Sequence, residues 1–474
     1  MTEVQKSTFP NSTACVFQWN YPVINLGRNE YRNCCRSETT RIKADDISTY
    51  GEEILLNSPI EREKRARMLL GEKVKGCSSC WKIESQNARS PRADVDLVNV
   101  AGPIDFNSLK NQLDNCKSEA EKVLFLSQHP STRSTQTNML EIILTNTCDM
   151  KCMYCSHHYS TKWAAERIKY NEIKPQDVVS ELPKPNSEYK RTLLEWFKND
   201  AVHSINSINF IGGEPSLIKD FYEISSEIAK ILELKSRNDV ILAVVTNLNS
   251  SPAIFDKFVN HLISISKYFK FIDINISIEA FGSRAEYIRN GLSWNRWTEN
   301  LEKLINLKLN NLKISAQMAT NVLSISSLPQ LVEYFSQLID KNQVQIYLRQ
   351  NLVTFPMANS PLLLTSEFVT YIDQTIKTLE AKPSHFEDVY KYDSWKDYII
   401  FLNTIKDSIA NHKLNSAEKK LVRDFFKQFD DRNSLDVHKT FPEYKNFFKE
   451  CGLFHAHSAK SKKSWINKIS NLFN

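Results

Sequence analysis

The segment Thr147-Cys148-Asp149-Met150-Lys151-Cys152-Met153-Tyr154-Cys155 places three cysteines at C-x3-C-x2-C spacing in one short loop. Three thiolates so spaced grip three corners of a cubane [4Fe-4S] cluster and leave its fourth iron without a protein ligand. A plain electron carrier normally supplies four cysteines, so an open iron asks for a small-molecule ligand. Zinc is the competing chemistry, with His157 or His158 as the fourth donor. A second group comprises Cys15, Cys34, Cys35, Cys77 and Cys80, the last followed by Trp81. It offers four ligands to an iron-sulfur cluster or to an all-cysteine zinc site, and sequence does not separate the two. Cys116 and Cys451 stand alone, as buried structural cysteines do.

The elements that must position these residues follow from composition and periodicity. The chain has 474 residues, which allows roughly three domains on a prior of about 150 residues each. It is 41% hydrophobic and 24% charged, too apolar for a disordered chain. Its net charge of +6 is small for this length and forms no dominant basic block, so no nucleic-acid partner is expected. No apolar run is long enough for a membrane span, and Met1 to Pro10 is polar where a secretory signal needs an apolar stretch. A cytoplasmic protein without a membrane partner is expected, in which clustered cysteines serve as metal ligands or catalytic groups.

Residues 1–95 read as an irregular, cluster-held front domain with one helix near Pro59 to Leu70, closed by Gly71. Residues 96–137 read as a connector with a short helix near Ser118 to Ser127. From 138 to 358 short apolar strands alternate with amphipathic helices, the pattern of a parallel βα architecture. The strands are expected at Leu140 to Thr145, Ser207 to Ile211, Val240 to Thr246, Phe271 to Ile278, Leu312 to Met318 and Val344 to Leu348. Helices are expected at Glu188 to Asp200, Ser216 to Leu234 and Trp294 to Leu307. Six such units curve into a partial (β/α)6 barrel of the α/β class, whose ligands bind where the strands end. Residues 359–474 read as a helical C-terminal region, through Thr365 to Glu380, Ser394 to His412 and Ala417 to Phe429, with a lysine-bearing solvated tail at 459–474.

The cysteine loop directly after the first barrel strand resembles the radical S-adenosylmethionine (SAM) superfamily over residues 139–350. That resemblance implies a [4Fe-4S] cluster held by Cys148, Cys152 and Cys155, with SAM on the open iron. It further implies reductive cleavage of SAM to a 5′-deoxyadenosyl radical, which abstracts hydrogen from a substrate. Gly212-Gly213-Glu214-Pro215, after the second strand, is similar to the family's GGE motif, which holds the methionyl amino group; paired glycines admit close backbone approach and a carboxylate suits an ammonium. Thr246-Asn247 matches a position near the SAM ribose or carboxylate. Ser277 and Glu279 match an element that hydrogen-bonds the ribose hydroxyls, which a carboxylate accepts. Tyr154 matches an aromatic beside the adenine, and Arg289 a partner of the SAM carboxylate or the substrate; Gln317 is a weaker match of the same kind.

The front cysteines resemble the opening of Twitch or SPASM auxiliary-cluster domains, which implies an auxiliary [4Fe-4S] cluster on Cys15, Cys34, Cys77 and Cys80. In that alignment Cys34, not Cys35, is the ligand. Here the auxiliary part precedes the barrel, whereas in most such enzymes it follows it. The resemblance implies a peptide or protein side chain as substrate and an external electron donor such as flavodoxin or ferredoxin. A small-molecule or cofactor precursor is the alternative substrate, and a non-catalytic zinc-binding scaffold is the alternative function. No side chain is assigned as catalytic.

Overall fold

The computed structural model describes residues 13–85, 90, 92, 106–176, 187–307, 309–381 and 394–454. Runs of Ile, Val and Leu between turn residues form the strands. In chain order these are β1 (Pro22–Asn25), β2 (Glu30–Asn33), β3 (Thr40–Arg41), β4 (Met139–Ile143), β5 (Lys151–Cys152), β6 (Ser207–Ile211), β7 (Ile241–Thr246), β8 (Phe271–Ser277), β9 (Arg289–Asn290), β10 (Leu312–Thr320) and β11 (Ile346–Leu352). The chain divides into two compact units, one of residues 1–150, 155–276 and 296–315, the other of 151–154, 277–295 and 316–474.

In the first unit the sheet runs β10-β8-β7-β6-β4-β1-β2-β3. The pairs β4 with β6, β6 with β7 and β7 with β8 are all parallel. Register places Leu140, Ile208, Leu242 and Ile272 in one row across four strands, all buried, as a parallel sheet covered on its faces requires. The helices Lys219–Leu234 and Pro252–Ile265 follow β6 and β7, and Phe221 packs edge-on to Phe210 with Phe258 beside it. The α/β fold with a large, mostly parallel sheet is the one expected from the βα alternation.

The front segment departs from the irregular chain read from sequence. Strand β1 lies parallel to β4, with Ile24 opposite Ile142, and β2 returns antiparallel to β1. The sheet thus has a parallel strand beyond the expected six. Pro22 opens β1, where a missing N–H costs least, and that proline masked so short a strand in the sequence. The helix Pro59–Leu69 starts where expected: Ser58 accepts the N–H of Glu61, and Gly71 follows its end with φ of +90°. Arg65 on this helix is fully buried and donates to the carbonyls of Gln18, Leu56 and Thr132 and to Asn57 Oδ1, tying four segments together.

In the second unit β5 and β9 form a two-stranded antiparallel ribbon that pairs Cys152 with Arg289. Helix Ser394–Ile409 covers the edge of β11: Ser394 Oγ accepts from the Leu348 N–H at 3.1 Å, and Trp395 donates to the Ile346 carbonyl at 2.9 Å. The C-terminal helices, including Ser416–Asn433, close on a buried aromatic core of Phe426, Phe441, Tyr444, Phe447 and Phe448. Among the described residues no helix is long and apolar enough to cross a membrane. The tail at 459–474 and the start of the connector at 96–105 lie outside the described residues.

Candidate functional site

The cysteine loop leaves β4 at its C-terminal end and is closed on itself by short bonds. Asn146 Nδ2 donates to the His157 carbonyl at 3.1 Å, Ser160 Oγ to the Met150 carbonyl at 2.6 Å and Thr161 Oγ1 to the Cys148 carbonyl at 3.1 Å. Ser160 also caps the helix Thr161–Lys169, so the loop's return point is anchored.

The glycine pair after β6 is demanded by this loop. Both glycines have positive φ, +91° at Gly212 and +50° at Gly213. A Cβ on Gly213 would stand 2.3 Å from the Thr147 carbonyl oxygen, and one on Gly212 would stand 2.8 Å from Ile143 Cγ2. From sequence these glycines are expected to admit close approach of a ligand; here the close approach is to the end of β4 and the start of the cysteine loop, and the Glu214 N–H donates to the Thr147 carbonyl at 2.8 Å.

Glu214 itself is fully buried. Its Oε1 accepts from the Ser216 N–H, the Ser216 hydroxyl at 2.7 Å and Thr246 Oγ1 at 2.8 Å, and its Oε2 accepts from the Asn247 N–H at 2.6 Å. Burial pushes its carboxyl above the ordinary range, and these donors pull it part of the way back. The carboxylate joins the ends of β6 and β7, and Oε2 retains capacity for a further donor. Asn247 then reaches the loop, with Nδ2 2.9 Å from Asp149 Oδ1 and 3.9 Å from Cys148 Sγ.

Sequence reasoning passed over the residues that complete this web. Asn249 Nδ2 donates to the other Asp149 oxygen at 3.1 Å, and Asn300 Nδ2 holds the carbonyls of Leu248 and Ser250 at 3.0 Å each. Asp149 lay in plain view between two cysteines, and Asn247-Leu248-Asn249 offers two amides at the end of a strand. The distant Asn300 has no such local signal.

In the second unit Glu279 is fully buried and Arg289 nearly so. Arg289 donates through Nε at 3.0 Å and Nη2 at 2.5 Å to Glu279 Oε2, which also accepts the Tyr154 hydroxyl at 3.1 Å. Arg289 Nη1 lies 3.8 Å from Cys152 Sγ. Burial raises the carboxyl of Glu279 while Arg289 opposes the rise. Its Oε1 is buried with no hydrogen-bond partner among the described residues. The backbone holds the ribbon as well: the Met153 N–H donates to Ile288 at 2.8 Å, and Asn359 Nδ2 to the Met153 carbonyl at 3.0 Å. Ser277 ends β8, two residues before Glu279, and the Ile278 N–H donates to the Gln317 carbonyl at 3.3 Å.

The front cysteines share one cavity of about 240 Å3, lined by Cys15, Cys34, Cys35, Cys77 and Cys80 together with Trp81 and Arg92. Cys34 has a φ of +76°, rare for a residue with a side chain, and its Sγ accepts the Arg36 N–H at 3.5 Å. Burial pushes the Cys15 thiol up to about 12 and Cys77 up to about 11. None of the ten cysteines forms a disulfide. Among the described residues no three His, Cys, Asp or Glu side chains converge closely enough to hold a single metal ion.

Residues 142–324 match the family model described as the Radical SAM superfamily. The segment is a radical SAM domain, which implies SAM and a [4Fe-4S] cluster as cofactors, and the enzyme class read from the sequence stands with it. Among solved structures, anSMEcpe with bound AdoMet is 15% identical with a TM-score of 0.35, covering 52% of this chain and 59% of its own. Streptococcus suis SuiB bound to S-adenosylmethionine is 12% identical with a TM-score of 0.32, covering 76% and 68%. SuiB bound to precursor peptide SuiA is 15% identical with a TM-score of 0.30, covering 75% and 68%. The chain thus spans less than two thirds of the length of anSMEcpe. No curated protein matches.

Proposed function

We propose that the chain is a radical SAM enzyme in which Cys148, Cys152 and Cys155 hold a [4Fe-4S] cluster, and that it abstracts hydrogen from a peptide or protein side chain. The observation that carries this is the C-x3-C-x2-C loop in a matched radical SAM domain, buttressed by Gly213, Glu214, Asn247 and Asp149. The cluster and SAM so held would supply a 5′-deoxyadenosyl radical, with methionine released as the S–C5′ bond takes up one electron.

The chain's residues fit that cofactor in three ways. The unpaired Oε1 of buried Glu279 is an acceptor for a ribose hydroxyl, with Ser277 beside it in sequence. The remaining capacity on Glu214 Oε2 suits an ammonium. Arg289, held by Glu279 together with the Tyr154 hydroxyl, supplies positive charge near Cys152, a sulfur that must be a thiolate. The protein's part is orientation and exclusion of water; the reactivity belongs to the cofactors.

For the front cysteines the reading is an auxiliary [4Fe-4S] site on Cys15, Cys34, Cys77 and Cys80. Its support is the cavity: a zinc ion draws four sulfurs to about 2.3 Å from one centre, whereas a cavity of about 240 Å3 with these thiols in its wall suits a group of several atoms. The buried setting and left-handed turn of Cys34 favour it over Cys35 as the ligand. An external flavodoxin- or ferredoxin-like donor supplies the electron.

The substrate class is tested by mass spectrometry after anaerobic incubation of the reduced, reconstituted enzyme with SAM and a peptide pool. A peptide whose mass changes in step with 5′-deoxyadenosine supports the reading. 5′-Deoxyadenosine without any peptide change, but with a changed metabolite, assigns the enzyme to a small-molecule precursor instead.

A further inference from the structure

We propose that Arg92 compensates the charge of the group held by the front cysteines and raises its reduction potential; this rests on the reading of that cavity as an iron-sulfur site. A cubane bound by four thiolates carries net negative charge, which grows by one on reduction. Beside the cysteines the cavity wall carries Phe17, Tyr21 and Trp81, with Gln18 and Ser37 as polar groups and Arg36 as a second cation, so such an anion is solvated largely by the protein. An anion buried there needs a cation held at its wall, and potential follows the net charge and polarity around a cluster.

Arg92 is built for that place. Its guanidinium stacks on Trp81, 3.9 Å from the ring centroid, and Trp81 is the residue directly after Cys80. Nε and Nη2 donate to the two oxygens of Glu84 at 2.5 and 2.6 Å, the bidentate geometry that fixes a guanidinium in plane. That fork turns Nη1 toward Ala14, whose carbonyl it approaches at 3.5 Å, one residue before Cys15. One planar cation is thereby referenced to both ends of the cysteine set. Glu84 offsets part of the charge; its side chain is 26% exposed and that of Arg92 17%, and only the guanidinium forms part of the cavity wall. Ser90 Oγ also bonds Glu84 at 2.5 Å, so the carboxylate that aims Arg92 is itself fixed. A lysine carries the same charge but neither stacks flat nor forks.

The test uses the full chain with Cys148, Cys152 and Cys155 all replaced by Ala, reconstituted anaerobically with iron and sulfide so that only the front site loads. Potentiometric titration followed by electron paramagnetic resonance reads the midpoint. Arg92→Gln is expected to load about four irons per chain, as the parent does, with a lower midpoint, and Arg92→Lys to fall between the two. Equal midpoints in all three proteins at full loading overturn the role of Arg92 and leave the cluster reading intact. A parent that takes up no iron, or one zinc per chain, removes the cluster and the proposal with it.

Discussion

Asn247 donates its side-chain N–H to Asp149 at 2.9 Å, and by that bond the end of β7 holds the turn between the first and second cysteines of the loop. Asn249 holds the second oxygen of the same carboxylate at 3.1 Å. Hydrogen bonds to a charged group contribute about 1.5–3 kcal/mol each when buried. Asp149→Ala should therefore cut 5′-deoxyadenosine formation at least about tenfold and lower the iron retained per chain, while the circular dichroism of the fold stays unchanged. Unaltered iron retention and turnover in that variant would show that the clamp does not set the loop.

A pair of glycine variants separates backbone strain from close contact. Gly213 and Gly51 have nearly equal φ, +50° and +53°, but a Cβ at Gly213 meets the Thr147 carbonyl at 2.3 Å whereas at Gly51 it meets nothing within 4 Å. A positive φ strains an alanine at either site, and at Gly51 the ψ of −133° lies outside the left-handed helical region in territory that favours glycine alone. Gly51→Ala should lose stability through backbone strain alone and still load the loop cluster, whereas Gly213→Ala should fail to load it. Full cluster loading by Gly213→Ala would mean that the turn yields and the contact is not needed.

The strand pattern from 138 to 358 was legible because parallel strands buried on both faces are continuous apolar runs, and because the three cysteines of the loop carry their own spacing. The same reading failed at β1. Its four residues begin with proline and join the parallel sheet only through β4, more than a hundred residues later. Glu214 illustrates a subtler limit. A carboxylate after paired glycines could be picked out as a candidate, but nothing local announces Ser216, Thr246 and the Asn247 N–H, which together hold it in place. Asn300, which fixes the loop after β7 from a distant helix, was illegible for the same reason: tertiary partners leave no periodicity.

Arg65 gives a stability prediction for the front segment. Its guanidinium satisfies three carbonyls and Asn57 Oδ1 in a fully buried setting. Arg65→Met strands those neutral acceptors, and a loss of a few kcal/mol is expected, at about 1–3 kcal/mol for a buried acceptor left without its donor. Arg65→Lys, with three donors, should recover part of it. A methionine variant as stable as the parent in urea would contradict the account of how the front is tied together.

Asp430 should give the second unit a distinct pH dependence. Burial, with Asp436 and Asp431 nearby, pushes its carboxyl up to about 6, although the Tyr287 hydroxyl at 2.6 Å and the Val437 N–H at 2.9 Å favour the charged form. The folded state thus holds this proton more tightly than the unfolded chain. The stabilisation is complete below the ordinary aspartate range near 4 and is lost as pH rises through about 6. Asp430→Asn removes the titration, so the stability difference between variant and parent should shift in favour of the variant as pH rises through that window. A difference that stays flat with pH would show that Asp430 titrates normally.

The most direct measurement is the yield of 5′-deoxyadenosine from SAM by the anaerobically reconstituted, dithionite-reduced protein, set beside Cys152→Ala. The account predicts absorbance near about 400 nm that bleaches on reduction, 5′-deoxyadenosine from the parent and none from the variant. Stoichiometric zinc with no 5′-deoxyadenosine, or equal yields from parent and variant, would contradict it.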